Sequence, residues 1–198
     1  MIDPEHELPQ TQQAQLYGTA DMSALSCATP TFCAAINVSG RPSMYNGRSW
    51  TTLARLETNV AQLVAQHDGL PAVSSVSCPT ARFCVAVDPL GSAFVYDGSS
   101  WSGAAPIDSA SAEIGSRGGL TSVSCPTARF CVAVDDRGSA VVFNGTVWSA
   151  PVSIDASMGL ARVSCAGPGF CGALDDLGEV LFYNGTGWTR PVPFDLGP

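Results

Sequence analysis

Apolar segments in this chain are short and regularly interrupted, and the stretch Val123 to Asp155, VSCPTARFCVAVDDRGSAVVFNGTVWSAPVSID, shows the rule. Cys131 to Val134 is a β-branched apolar run that stops at Asp135-Asp136-Arg137-Gly138. Ser139 to Phe143 is a second run, ending at Asn144-Gly145, and the chain then returns through Trp148 to Ile154-Asp155. Runs of four to six residues bounded by Asp, Asn and Gly are too short for helices and read as strands joined by turns. Asn144-Gly145, with Asp97-Gly98 as its counterpart, is the dipeptide favoured in type I′ hairpins, where both central residues take positive φ. With Leu120 to Ser124 ahead of Cys125, the pattern predicts four antiparallel strands.

The same pattern occurs four times. Cys27, Cys78, Cys125 and Cys165 open the copies; Cys33, Cys84, Cys131 and Cys171 follow six positions later. Trp50, Trp101, Trp148 and Trp188 each stand 23 positions after the opening cysteine. Between them run two glycine columns (Gly40, Gly91, Gly138, Gly178 and Gly47, Gly98, Gly145, Gly185) and an aromatic column (Tyr45, Tyr96, Phe143, Tyr183). Spacings of 51, 47 and 40 residues suit propeller blades. Four-stranded sheets repeated in sequence hide most of their edges by packing radially.

The predicted fold is therefore all-β: a four-bladed β-propeller with four-stranded antiparallel blades, spanning 21–198, with repeats at about 25–57, 76–108, 123–155 and 163–195. Closure within one chain is expected; the alternative is an arc of a larger ring, completed by a second copy or by further sequence. Residues 1–20 are polar and read as a tail or linker. Between copies one and two, Leu56, Val60, Leu63 and Val64 recur at helical spacing, Thr58 offers a cap and Gly69 with Pro71 a stop. A short amphipathic helix is expected near 59–67. A Ser-, Gly- and Ala-rich insertion, Ser109 to Gly119, reads as a loop. Both insertions fall between blades, which places them on the face of the strand-two to strand-three turns.

Charge narrows the function. Only 13% of residues are charged and the net charge is −8, which argues against nucleic acid and against adsorption to anionic lipid. All nine basic residues are arginine, so Schiff-base chemistry on lysine is excluded. Each C-x5-C pair would bridge strands one and two of its own blade, a disulfide contributing about 2 kcal/mol by loop closure. Four such bridges point to an oxidising, extracellular or cell-surface location; zinc held by thiolates is the alternative. The start, Met1-Ile2-Asp3-Pro4-Glu5-His6-Glu7, is acidic where an export signal is basic, and no apolar run reaches membrane-spanning length. An excised ectodomain or a mature secreted form is expected.

The acidic turns are the candidate chemistry. Asp88, Asp135, Asp136, Asp175 and Asp176 could offer oxygens to Ca²⁺ or to sugar hydroxyls, or could simply cap their own turns; Asn37 shares the column. Arg137 and Glu179, which do not repeat, are candidates for specificity. The tryptophans could stack on sugars or pack on their hairpins. His6 and His67, the two histidines, lie outside the repeats, so a nucleophile–His arrangement has little to draw on. No cofactor is expected, with Ca²⁺ as the alternative.

The motif S-C-P-T-x-x-F-C-V-A-V-D … Y/F-N/D-G-x-x-W-S-x-P-x-x-I-D, as it stands in 123–155 and, with Ala104 at the proline position, in 76–108, resembles repeats of exported actinobacterial proteins. Such repeats also occur in the outer regions of membrane-anchored Ser/Thr kinases. Copies one and four depart from it, with Ala28 and Ala166 after the opening cysteine. The resemblance implies a propeller outside the cytoplasm and transfers no catalytic residue. The expected function is a non-catalytic binding module, a sensor domain or secreted adhesin, for a protein or peptide partner. A lectin with repeated sugar sites is the second reading and a glycoside hydrolase the third. The chain is read as a monomer, with a dimer as the alternative.

Overall fold

The computed structural model describes residues 21–56, 72–108 and 119–193. They form four antiparallel sheets, each built from four consecutive strands in simple meander order. Blade one is β1 Met22–Thr29, β2 Phe32–Asn37, β3 Pro42–Tyr45 and β4 Trp50–Thr52; blade two is β5 Ser75–Thr80, β6 Phe83–Val87, β7 Ser92–Tyr96 and β8 Ala105–Pro106. Blade three is β9 Leu120–Thr127, β10 Phe130–Asp135, β11 Ser139–Phe143 and β12 Val152–Ser153; blade four is β13 Leu160–Gly167, β14 Phe170–Asp175, β15 Glu179–Tyr183 and β16 Val192–Pro193. The helix expected near 59–67, the polar tail and most of the 109–119 loop lie outside the described residues. Among the described residues there is no helix, and so none long and apolar enough to cross a membrane.

Each cysteine pair closes within its own blade, across strands one and two, with Cα atoms 3.9 to 4.1 Å apart. Two local expectations need correction. The Asn-Gly hairpins are not type I′, because among the described residues positive φ occurs only at glycine. Phe143 bridges Trp148, so four residues make the connection rather than two. The asparagine side chain closes the turn instead: Asn144 Oδ1 accepts from Thr146 N–H and Val147 N–H, both at 3.0 Å. Gly145 alone takes the left-handed conformation, at φ 95°. The fourth strand is also shorter than expected. After Trp148, Ser149 Oγ accepts from Val142 N–H at 3.0 Å and Pro151 brings no N–H, so regular pairing resumes only at Val152.

The core lies between blades, because both faces of each sheet are apolar. Residues of one face of blade two (Val85, Val87, Ala93) share a cluster with Val123, Ala133, Val141 and Phe143 of blade three. Blades one and two pack likewise through Ile36 and Met44 against Val76, Phe94 and Tyr96. Blades three and four pack through Val132 and Val134 against Val163, Ala173 and Leu181. An aromatic relay follows the same direction: Phe32 on Tyr96, Phe83 on Phe143 and Phe130 on Tyr183, each with centroids 6.2 Å apart. Serine hydroxyls tie successive first strands together, Ser26 to Cys78 N–H, Ser77 to Cys125 N–H and Ser124 to Cys165 N–H, at 2.9 to 3.0 Å. Among the described residues no such cluster joins blade four back to blade one.

Candidate functional site

The acidic turns come first. Asp88, Asp135 and Asp175 end the second strands and are 1 to 3% exposed. Each commits one carboxylate oxygen to its own turn. Asp88 Oδ1 accepts from Leu90 N–H (3.0 Å) and Ser92 N–H (2.8 Å), and Asp135 Oδ1 from Arg137 N–H (3.0 Å) and Ser139 N–H (2.6 Å). Asp175 Oδ1 accepts from Leu177 N–H (2.8 Å) and Glu179 N–H (2.7 Å). In blade one Asn37 does the same for Arg41 N–H at 2.8 Å. Arg137 and Glu179 follow at these turns and are half-buried; Asp136 is half-buried and Asp176 exposed.

Successive blades meet here through paired carboxyls. The end of blade two brings Asp108 to Asp135, and the end of blade three brings Asp155 to Asp175. Burial raises Asp88 to about 6, against the pull of its two backbone N–H donors. It raises Asp135 in the same direction, helped by the hydrogen bond to Asp108. Asp155 goes the other way: burial would raise it, but the Ser157 hydroxyl and backbone, Met158 N–H and Asp175 together hold it below the ordinary range. The segments flanking both insertions are fastened to these turns. Leu56 N–H donates to Gly40 O and Ala72 N–H to Val38 O, while Asp108 N–H donates to Gly91 O and Gly119 O accepts from Asp136 N–H.

A concave site lies elsewhere, between blades one and two. After β4 the chain climbs as Leu53 to Leu56, fastened by Leu53 N–H to Pro42 O and Leu56 N–H to Gly40 O. Facing it is the β7–β8 connection of blade two, Ser99 to Gly103. Together they line a groove of about 490 Å³. Leu53 and Trp101 pack against the same apolar cluster and give the groove an apolar wall, and Arg55 with Ser99, Ser100 and Ser102 supplies polar groups. The Trp101 ring is tilted on Tyr96 at 5.5 Å, and its buried Nε1–H has no acceptor among the described residues. A buried indole N–H without an acceptor costs roughly 1–3 kcal/mol. The volume suits a short peptide segment or a small molecule.

No family model matches the sequence, and no curated protein is significantly similar to it. Solved structures of the same fold are found. YCF48, solved bound to a D1 peptide, is 14% identical with a TM-score of 0.54, over 86% of this chain and 52% of that one. The computationally designed Ika4 protein is 12% identical with a TM-score of 0.57, over 82% and 90%. The designed Ika8 protein is 15% identical with a TM-score of 0.57, over 84% and 46%. This chain is a propeller-type assembly of four blades, and it spans about half the length of the YCF48 and Ika8 chains.

The acidic residues named from the sequence thus gather at one end of the blades, divided among separate turns; Trp101, weighed with the other tryptophans as a sugar-stacking or packing residue, lines the groove with Arg55, which was missed. Trp101 belongs to a repeat column, and its sequence context gives no sign that its neighbour differs. The available signal was the departure of copy one after Trp50, where Thr51-Thr52-Leu53-Ala54-Arg55 stands in place of Ser149-Ala150-Pro151 of copy three and Thr189-Arg190-Pro191 of copy four.

Proposed function

We propose that the chain is a non-catalytic binding module working outside the cytoplasm, in a sensor or adhesin, and that its groove takes an extended peptide segment of a protein partner. The observation that carries this is the groove itself: an apolar wall of Leu53 and Trp101 beside a polar lining of Arg55, Ser99, Ser100 and Ser102. Such a set favours a peptide with an apolar side chain beside a carbonyl or carboxylate. The peptide-bound YCF48 supports the reading at the level of the fold, since an assembly of this kind can hold a peptide. Four disulfides support an oxidising compartment. The proposal is non-catalytic because the two carboxyl pairs, Asp108–Asp135 and Asp155–Asp175, are 1 to 3% exposed and out of reach of a glycosidic bond. Asp88, Asp135 and Asp175 each give one carboxylate oxygen to two backbone N–H groups of their own turn, which favours a turn-capping role at these three positions.

The test is selection of binders from a displayed random-peptide library on the oxidised protein, with affinities then measured on Trp101→Phe and Arg55→Ala. Trp101→Phe keeps an aromatic ring in place and shrinks the apolar wall. Each substitution is expected to weaken selected peptides by about tenfold, through lost apolar contact at Trp101 and a lost hydrogen bond at Arg55. Peptides indifferent to both substitutions, or binding only to glycans on an array, would overturn the proposal.

A further inference from the structure

The two ends of the blade series expose side chains in columns that the other blades bury, while Ala35 and Ser43 on the end face of blade one are themselves buried. On blade four, Phe170, Leu174 and Phe182 are 52%, 42% and 41% exposed. In blade three the same columns hold Phe130, Val134 and Val142, in contact with blade four. On blade one, Leu25 is 63% exposed, whereas Val76, Val123 and Val163 in its column are 4 to 8% exposed. Cys27 is exposed too, where Cys78 and Cys125 are buried. Phe170 turns back onto Phe182 of its own blade instead of meeting the aromatic of a following blade. Ser164, in the column whose hydroxyls fasten the next first strand, is exposed.

These two faces are the halves of one interface. Three times within the chain the first type of face packs on the second, through the phenylalanine–tyrosine relay, the apolar columns and the serine–backbone bonds. The end faces are also altered in a matched way. Blade four carries the larger Phe182 where earlier blades carry Met44, Val95 and Val142, and blade one carries the smaller Ser43 where later blades carry Phe94, Val141 and Leu181. Alternating large and small residues across an interface lets facing side chains interdigitate. Exposed apolar side chains gathered on two complementary faces favour association.

We propose that a second copy of this chain completes the ring, blade four of each copy packing on blade one of the other. One interface used twice about a two-fold axis closes the assembly and leaves no apolar face in water. In the assembly Phe170 meets Tyr45, Ser164 Oγ accepts from Cys27 N–H, and Leu25 is covered.

Sedimentation equilibrium on the oxidised full-length chain tests this. The expected mass is twice the 20.4 kDa of one chain. Phe170→Asp and Leu25→Asp, both at exposed positions that leave the blades folded by circular dichroism, should each give monomers. Mixed in equal amounts they should give dimers again, held by one intact interface, because the Leu25→Asp chain keeps an intact blade four and the Phe170→Asp chain an intact blade one, while both substitutions fall in the other interface. A monomeric wild type, an open ladder of larger species, a dimer indifferent to both substitutions, or a mixture that stays monomeric would each overturn the proposal.

Discussion

Replacing Asp88 by asparagine should make the protein less sensitive to rising pH. The Asp88 carboxyl is 1% exposed and burial lifts it to about 6, while an unfolded aspartate ionises near ~3.9. The fold therefore favours the protonated form. That contribution is fully present below about pH 4 and is lost as pH rises through 6. Between about pH 4.5 and 7.5 the proton linkage of this one group amounts to roughly 2 kcal/mol of lost stability. The amide of Asp88→Asn would keep the Oδ1 acceptor for Leu90 N–H and Ser92 N–H, as Asn37 keeps it for Arg41 N–H in blade one, and would remove the titration. Urea unfolding of the oxidised wild type and of Asp88→Asn at both pH values measures the difference directly. The wild type should lose about 2 kcal/mol more than the variant across that window. Asp88→Ala serves as a control, expected to be about 1–3 kcal/mol less stable than Asp88→Asn at either pH because two backbone donors lose their acceptor. Parallel pH dependences for wild type and Asp88→Asn would refute the reasoning, and so would a wild type that gains stability over the variant as pH rises.

Two further outcomes follow from the packing. Gly138→Ala should lower stability by about 3 kcal/mol or more in thermal melts, since φ is 85° and a Cβ there would run into the Asp155 carbonyl with Met158 O at 2.5 Å. Gly178→Ala, in the same column but with no described atom within 4 Å, should cost only the backbone strain of about 1–2 kcal/mol; equal losses in the two variants would show that the close approach is not what matters. In the monomeric Phe170→Asp chain the Cys27–Cys33 disulfide should be reduced first, read by alkylation and mass spectrometry, because Cys27 is exposed while Cys84, Cys131 and Cys171 are fully buried. Earlier reduction of a buried pair would contradict the burial argument.

Some features lay open in the chain. The cysteine spacing announced cross-strand bridges, because six positions fit two strands joined by a tight turn, and all four bridges form within their blades. The hairpins were placed correctly by Asn144-Gly145 and its counterparts, but their type was not, since a four-residue connection lets the Asn side chain satisfy the N–H groups that an extended pairing would have met. The groove escaped notice because Arg55 and Trp101 are far apart in sequence and meet only where one blade's tail passes the next blade's hairpin.

The sequence by itself determined the blade. Alternating apolar positions, turn residues and repeat columns are local and recur within some forty residues, so strand order and disulfide partners are fixed before any two blades touch. How the blades stand to one another was decided only by tertiary packing. Whether the fourth blade reaches the first depends on the angle at each interface, which comes from the volumes of facing side chains such as Phe94, Val141 and Leu181, and small differences accumulate over three interfaces. That accumulated angle leaves Phe170 and Leu25 facing water, and no pattern within a single repeat encodes it.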